Sequence, residues 1–142
     1  MRPDLTFTII KPHAIEFNNL GPIMELINRN GYKFRAIKMI WMSRKKAETF
    51  YDIHKDKTFF NELIDYMTSG PVVVAVIEKK NAVKDFRTLI GSTDPTKAKL
   101  GTIRRMFAES KEANAIHGSD SNENAKREIE MFFKPEEIFI SN

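Results

Sequence analysis

Residues 71–77 read P-V-V-V-A-V-I, an unbroken apolar run rich in β-branched side chains. An extended chain points alternate residues to opposite faces, so this segment is apolar on both sides and predicts a central strand covered by helices on at least one face. Residues 5–10, L-T-F-T-I-I, are a second strand-like segment in which Leu5, Phe7 and Ile9 share one face. Lys11 continues that same face, and Pro12 ends the ladder by removing a donor. A lysine in line with a core face requires a partner or an anionic ligand.

The segments between these strands alternate in period. Residues 18–30 predict a helix with Leu20, Ile23, Met24 and Ile27 as its apolar stripe and Gly31 placed to cap it. Residues 32–42 read as a strand, and Ser43 as the N-cap of a helix whose face carries Ala47, Phe50, Tyr51 and His54. A helix over 59–68 stops at Ser69-Gly70-Pro71, and another over 82–90 turns Val83, Phe86, Leu89 and Ile90 inward. Residues 91–101, G-S-T-D-P-T-K-A-K-L-G, form a polar loop of a length that marks function or mobility. A helix over 102–110 carries Arg104 and Arg105, and a short strand is predicted at 115–117. A last helix follows, capped by Asp120 with Glu123 three residues on, its core stripe being Ala125, Ile129, Phe132 and Phe133. This order predicts an α+β sandwich with helices packed on a small mixed or antiparallel sheet.

A chain of 142 residues fits one domain over 1–142, and at that size it buries roughly 68% of its extended surface without staples. With 42% hydrophobic and 30% charged residues the composition is globular. The absence of cysteine excludes disulfides, iron–sulfur clusters and thiol nucleophiles. No apolar run approaches the ~18 residues of a membrane span, and the start, Met1-Arg2-Pro3-Asp4, lacks a signal-peptide layout. The expectation is a soluble, cytoplasmic protein. The charge of +4, from 23 basic and 19 acidic side chains, suits phosphate-bearing ligands. The basic residues are dispersed, the longest run being Arg44-Lys45-Lys46, so nucleic-acid binding is not indicated.

Three histidines, His13, His54 and His117, are too far apart for a short metal-ligand spacing, and no metal site is expected. His54 shares a face with apolar residues and reads as a core-edge histidine. His117 lies in N-A-I-H-G-S-D (114–120), just before a helix start whose free N–H groups attract anions. Glu128, at the edge of that helix's apolar stripe, could reach back to orient the imidazole. A strand-ending histidine beside a plain helix cap accounts for the same spacing, and the two readings stay open. Lys11, Arg87 and Arg104 sit at element ends and Thr93 in the long loop, a set that could converge on a polyphosphate. Neither G-x-x-x-x-G-K-[ST] nor G-x-G-x-x-G occurs, so any nucleotide site is of another kind.

The pieces T-F-T-I-I-K-P, F-Y-D-I-H-K-D-K-T-F-F, S-G-P-V-V-V-A-V, G-S-T-D-P, G-T-I-R and N-A-I-H-G-S-D-S, in this order, resemble the nucleoside diphosphate kinase family along nearly the whole chain. The last is similar to the family's active-site signature N-x-x-H-G-S-D. The resemblance implies a ferredoxin-like α/β sandwich with a four-stranded antiparallel sheet covered by helices. It implies a two-step exchange in which a nucleoside triphosphate phosphorylates a histidine and a nucleoside diphosphate removes the phosphoryl group. On this chain the nucleophile becomes His117. Lys11, Arg87, Thr93 and Arg104 match phosphate-binding positions, and Asn114 with Lys11 matches residues near the ribose hydroxyls. Phe59 matches the aromatic that stacks on the base, with Leu63 nearby. Tyr51 matches the tyrosine beside the catalytic ring, and Glu128 backed by Ser119 the carboxylate that positions it. Mg2+ is implied as a cofactor carried by the nucleotide phosphates, with no direct protein ligand. A homo-oligomer, tetramer or hexamer, is implied as well.

The chain departs from the family pattern at His13, where aspartate is common after Lys-Pro, at Leu100 in place of proline before G-T-I-R, and at Arg105 and Met106 in place of Gly-Asp. The competing class, a non-catalytic module binding nucleic acid or protein through a ferredoxin-like sheet, calls for exposed strand aromatics and denser basic charge. Phe7 and Phe34 read as core instead.

Overall fold

The two apolar strands, β1 (Leu5–Ile10) and β3 (Val72–Glu78), lie side by side at the centre of an antiparallel sheet, with Leu5 opposite Glu78 and Ile10 opposite Val73. β2 (Lys33–Ile40) pairs with the outer side of β3, and β4 (Ile116–Gly118) with the outer side of β1, giving the order β2-β3-β1-β4. The register between β2 and β3 slips by one residue at Arg35, a bulge whose side chain donates from Nε to Glu78 Oε1 at 2.8 Å. The computed structural model describes residues 4–111 and 113–140, so the reading of residues 1–3 falls outside them.

Because β3 is apolar on both faces, both faces of the sheet must be covered, and they are. On one side α3 (Arg44–Phe50), α4 (Phe60–Met67) and α7 (Asn122–Phe132) pack against Leu5, Phe7, Ile9 and the even-numbered valines of β3. On the other, α1 (Pro12–Glu16), α2 (Leu20–Arg29), α5 (Ala82–Ile90) and α6 (Ile103–Phe107) cover Ile10, Val73, Ala75, Ile77 and Ile116. The strand order and the two helices α2 and α5 are those of the ferredoxin-like sandwich.

Pro12 ends the β1 ladder as the sequence reading has it and also opens the short α1, since a proline at the first helical position gives up an N–H that would go unpaired anyway. Four boundaries differ from that reading. Asn18, at φ +62, separates α1 from α2, so the helix predicted over 18–30 begins at Leu20. The helix predicted over 102–110 stops at Phe107, with Ala108 already extended. α7 is capped by Ser121, whose Oγ accepts from Asn124 N–H at 3.0 Å, while Asp120 accepts from the Asn124 side chain instead. His54 also leaves the α3 face, because that helix ends at Phe50 and a 3-10 turn, Asp52–His54, follows.

Gly118 sits where β4 passes under α5. A Cβ there would fall 2.9 Å from a ring carbon of Phe86 and 3.0 Å from Ile90 Cδ1, both buried. Gly118→Ala should therefore destabilise the protein by about 1–3 kcal/mol through overpacking, read as a shift in the urea midpoint.

Candidate active site

β4 is three residues long, and three devices hold it in place. Lys11 N–H donates to Ala115 O at 2.9 Å, and Thr8 Oγ1 donates to His117 O at 2.7 Å. Ala115 takes φ +73 while Ile116 N–H bonds Asn114 O at 2.9 Å, a tight reversal in a backbone region that costs a non-glycine residue of order 1 kcal/mol. Backbone strain of this kind fixes the direction in which the next side chains leave the chain. His117 leaves toward α7.

There the His117 ring meets Glu128, Nε2 lying 2.9 Å from Oε1. Ser119 Oγ donates to the same carboxylate oxygen at 2.6 Å, and Glu128 is 6% exposed. A carboxylate accepts only, so the ring proton sits on Nε2 and the lone pair on Nδ1. The edge of Phe50, with ring centres 5.0 Å apart, further limits rotation of the imidazole.

The ring opens onto a cleft of about 1100 Å³. Of the residues singled out from sequence, Tyr51, Arg87, Thr93, Arg104, His117 and Glu128 line it. Arg104 is buried and held rigid, donating to Gly91 O at 3.0 Å and to Ile116 O at 2.8 Å. Gly91 must be glycine for this, because at φ +89 a Cβ would come within 2.6 Å of Thr102 Oγ1. Arg104 Nε and the Tyr51 hydroxyl are buried without partners among the described residues, two unspent donors beside the cleft. Burial and the Glu128 charge push the Tyr51 phenol up, so it stays protonated. Burial, then the nearby Arg87, lowers Arg104 to about 10.

Lys11 and Asn114 stand just behind the lining. Lys11 Nζ donates to Asn114 Oδ1 at 2.6 Å, and Asn114 Nδ2 reaches Thr93 O at 3.5 Å. Burial, reinforced by Arg104, pulls the lysine down to about 7. Phe59 and Leu63 are outside the lining: Phe59 is 38% exposed at the start of α4, and Leu63 is buried in the core beneath it. Lys97, Lys99 and Arg127 join the cleft without having been singled out, since nothing in their local sequence distinguishes them from solvated surface cations. His13 lies apart, its Nδ1 3.3 Å from Glu109 Oε2 and its ring stacked on Phe17.

The family model described as nucleoside diphosphate kinase matches residues 4–138. A nucleoside diphosphate kinase of a Nitratiruptor species is 55% identical over 133 residues, covering 94% of this chain and 97% of that one. One from Campylobacter jejuni subsp. doylei is 52% identical over 134 residues, covering 94% and 98%. Among solved structures, the Aquifex aeolicus nucleoside diphosphate kinase is 41% identical with a TM-score of 0.92, covering 95% of this chain and 98% of its own. That of Halobacterium salinarum, in complex with CDP, is 33% identical with a TM-score of 0.93, covering 98% and 93%.

The lysine gives a testable pH dependence. Its folded value lies below the 10.5 of an ordinary lysine, so above pH ~7 the unfolded chain holds a proton the folded one lacks, and stability rises with pH. Between pH 7 and 9 this group should add on the order of 1–2 kcal/mol. Urea unfolding at those two pH values should show the rise in the parent protein and lose it in Lys11→Met.

Proposed function

Because the chain belongs to the nucleoside diphosphate kinase family, we propose that His117 is the group through which it moves phosphoryl groups from nucleoside triphosphates to nucleoside diphosphates. The single observation that carries this reading is the 2.9 Å contact of His117 Nε2 with Glu128, which leaves Nδ1 free beside a cation-lined cleft. In the first step the Nδ1 lone pair attacks the γ-phosphorus. The bond to the bridging oxygen breaks, and its electrons stay on the β-phosphate of the departing diphosphate. The ring then carries a phosphoryl group on Nδ1 and a proton on Nε2, and Glu128, steadied by Ser119, balances the charge. An incoming nucleoside diphosphate attacks the same phosphorus and reverses the step.

The cations take the charge that spreads over the transferring oxygens. Arg104 presents a fixed guanidinium with Nε unspent, Arg87 and Thr93 line the same wall, and Tyr51 offers its hydroxyl. Lys11 and Asn114, bonded to each other, serve phosphate and ribose hydroxyl from behind. Phe59, with Leu63 beneath it, provides the stacking surface for the base, and stacking accepts purines and pyrimidines alike. The CDP bound to the Halobacterium salinarum relative supports a cytidine nucleotide as one acceptor.

Mg2+ would be held mainly by the nucleotide phosphates, with no direct protein ligand, and would supply neutralisation of their charge. The donor set fits this arrangement: the cleft wall pairs phosphate-binding cations with Asp52, Asp120 and the engaged Glu128, which suits an ion that keeps its waters and takes its remaining ligands from substrate. We place the protein in the cytoplasm, working as a single domain; among the described residues no helix is long and apolar enough to cross a membrane. Assembly into a tetramer or hexamer is proposed as well. Ile37, Met39 and Trp41, on one side of the edge strand β2 and its end, expose 46%, 55% and 66% of their surfaces, and self-association would cover them.

Incubation with a γ-labelled triphosphate and no acceptor should leave an acid-labile, base-stable label on the protein, absent from His117→Ala. Arg104→Ala should keep the label but slow its formation by roughly 10²–10³-fold, the loss expected for one fixed donor to developing charge. Full exchange activity in His117→Ala would refute the assignment.

A further inference from the structure

Residues 91–101 form one wall of the cleft with no strand to pair with, so their backbone carbonyls must find donors elsewhere. Side chains supply several of them. Arg104 donates to Gly91 O at 3.0 Å, Asn114 Nδ2 to Thr93 O at 3.5 Å, and Thr102 Oγ1 to Lys99 O at 2.7 Å. Between these points the carbonyls of Thr96 and Ala98 both accept from Arg105, whose Nη1 lies 3.5 Å from one and 3.4 Å from the other. That nitrogen carries two N–H bonds, one for each carbonyl. Consecutive arginines of α6 thus divide the loop: Arg104, buried, holds its start, and Arg105, exposed, holds its middle. The Asp94 carboxylate accepts from Thr96 N–H at 3.0 Å and Thr96 Oγ1 at 2.8 Å, which shapes the turn Pro95–Lys97 without tying it to α6. On the outer side of the loop a gap of about 360 Å³ opens between Pro95, Thr96, Arg105, Ala108 and Glu109, so apolar packing there is thin.

We infer that Arg105 is a positioning residue for the phosphate-binding wall: by tying Thr96 O and Ala98 O to α6, it holds Thr93, Lys97 and Lys99 against the cleft before nucleotide arrives. The inference rests on the reading of Thr93 as a phosphate-binding residue. Arg105 itself is outside the cleft lining and touches no group of the proposed transfer, so its effect is separable from the chemistry. The tie is particular to this chain, because the family pattern has glycine at 105, with no side chain to reach the loop. Its effect is one of population. A loop ordered for only a fraction of the time lowers the apparent affinity by that fraction, whereas the nucleotide-bound protein, its loop already in place, turns over as before.

The test joins steady-state kinetics, with ADP as acceptor, on Arg105→Ala, Arg105→Lys and Thr93→Ala to cleavage of the parent and Arg105→Ala by a lysine-specific protease, read by fragment mass. Loss of two hydrogen bonds from a charged donor should leave the loop ordered about a third to a tenth of the time, which raises KM by about three- to tenfold. Arg105→Ala should show that rise with kcat lowered by less than about twofold, and Arg105→Lys, which keeps a long cationic donor, should lie between it and the parent. Cleavage after Lys97 and Lys99 should speed up by at least about threefold in Arg105→Ala and return to the parent rate under saturating ADP. Parent-like KM and parent-like cleavage in Arg105→Ala overturn the inference. Faster loop cleavage with a normal KM overturns it too, since the order of the loop then does not serve binding. A raised KM with parent-like loop cleavage overturns it because the arginine then does not order the loop. Faster cleavage after lysines throughout the chain, or a changed mass in solution, makes Arg105 a residue of general stability or assembly and likewise overturns the positioning role. Thr93→Ala isolates the premise: a normal KM there removes the phosphate reading of the loop and the inference with it, while a raised KM there beside a normal one in Arg105→Ala overturns the inference alone.

Discussion

A buried carboxylate is costly unless it is fully hydrogen-bonded, and the carboxylate of Glu128 has two donors, the imidazole of His117 and the hydroxyl of Ser119. That requirement links the whole molecule to one geometry. Glu128 is carried by α7, whose apolar stripe docks on the face of β1. His117 and Ser119 stand at the end of the chain's shortest strand, which exists only by pairing with the other side of the same β1. The central strand thus sets the separation between acid and imidazole, and the sheet's packing is what makes the 2.9 Å contact reproducible.

The same strand ends in the second constraint. Lys11 and Arg104 are buried cations with no carboxylate partner among the described residues, bonded instead to an amide oxygen and to backbone carbonyls. Each carries a desolvation penalty that a bound polyphosphate would relieve. A site built this way binds developing negative charge with donors already oriented, so little reorganisation remains for the moment of transfer. Burial, then a neighbouring guanidinium, lowers both groups from their ordinary values.

Much of this was legible in the residues themselves. The unbroken apolar run at 71–77 correctly implied a central strand, and alternation from Leu5 onward put Lys11 on a core face, where it is 6% exposed. Gly31 marked a left-handed turn and has φ +93. What stayed hidden depends on contacts between distant segments or on residues that give no local sign. Ala115 adopts a left-handed backbone without being glycine or asparagine, its carbonyl held by the N–H of Lys11, one residue past β1. Asp120 and Ser121 are both good caps, and only the helix's exact entry decided for the serine. His54 looked like an α3 residue because the 3.6 period runs on through Tyr51, while the chain turns into a 3-10 segment there. The assignment of roles to Lys11, Arg87, Thr93, Asn114 and Phe59 came from family resemblance, since their separation along the chain says nothing of their convergence.

The tautomer of His117 is the point on which the chemistry turns. Nitrogen-15 NMR of the phosphorylated protein, labelled in its histidines and prepared without acceptor, identifies the ring nitrogen that bears the phosphoryl group. Phosphorus on Nδ1, with the Nε2 proton retained against Glu128, is the result the geometry requires. Phosphorus on Nε2 would mean that the carboxylate contact breaks during the reaction, and it would contradict the proposed transfer at its base.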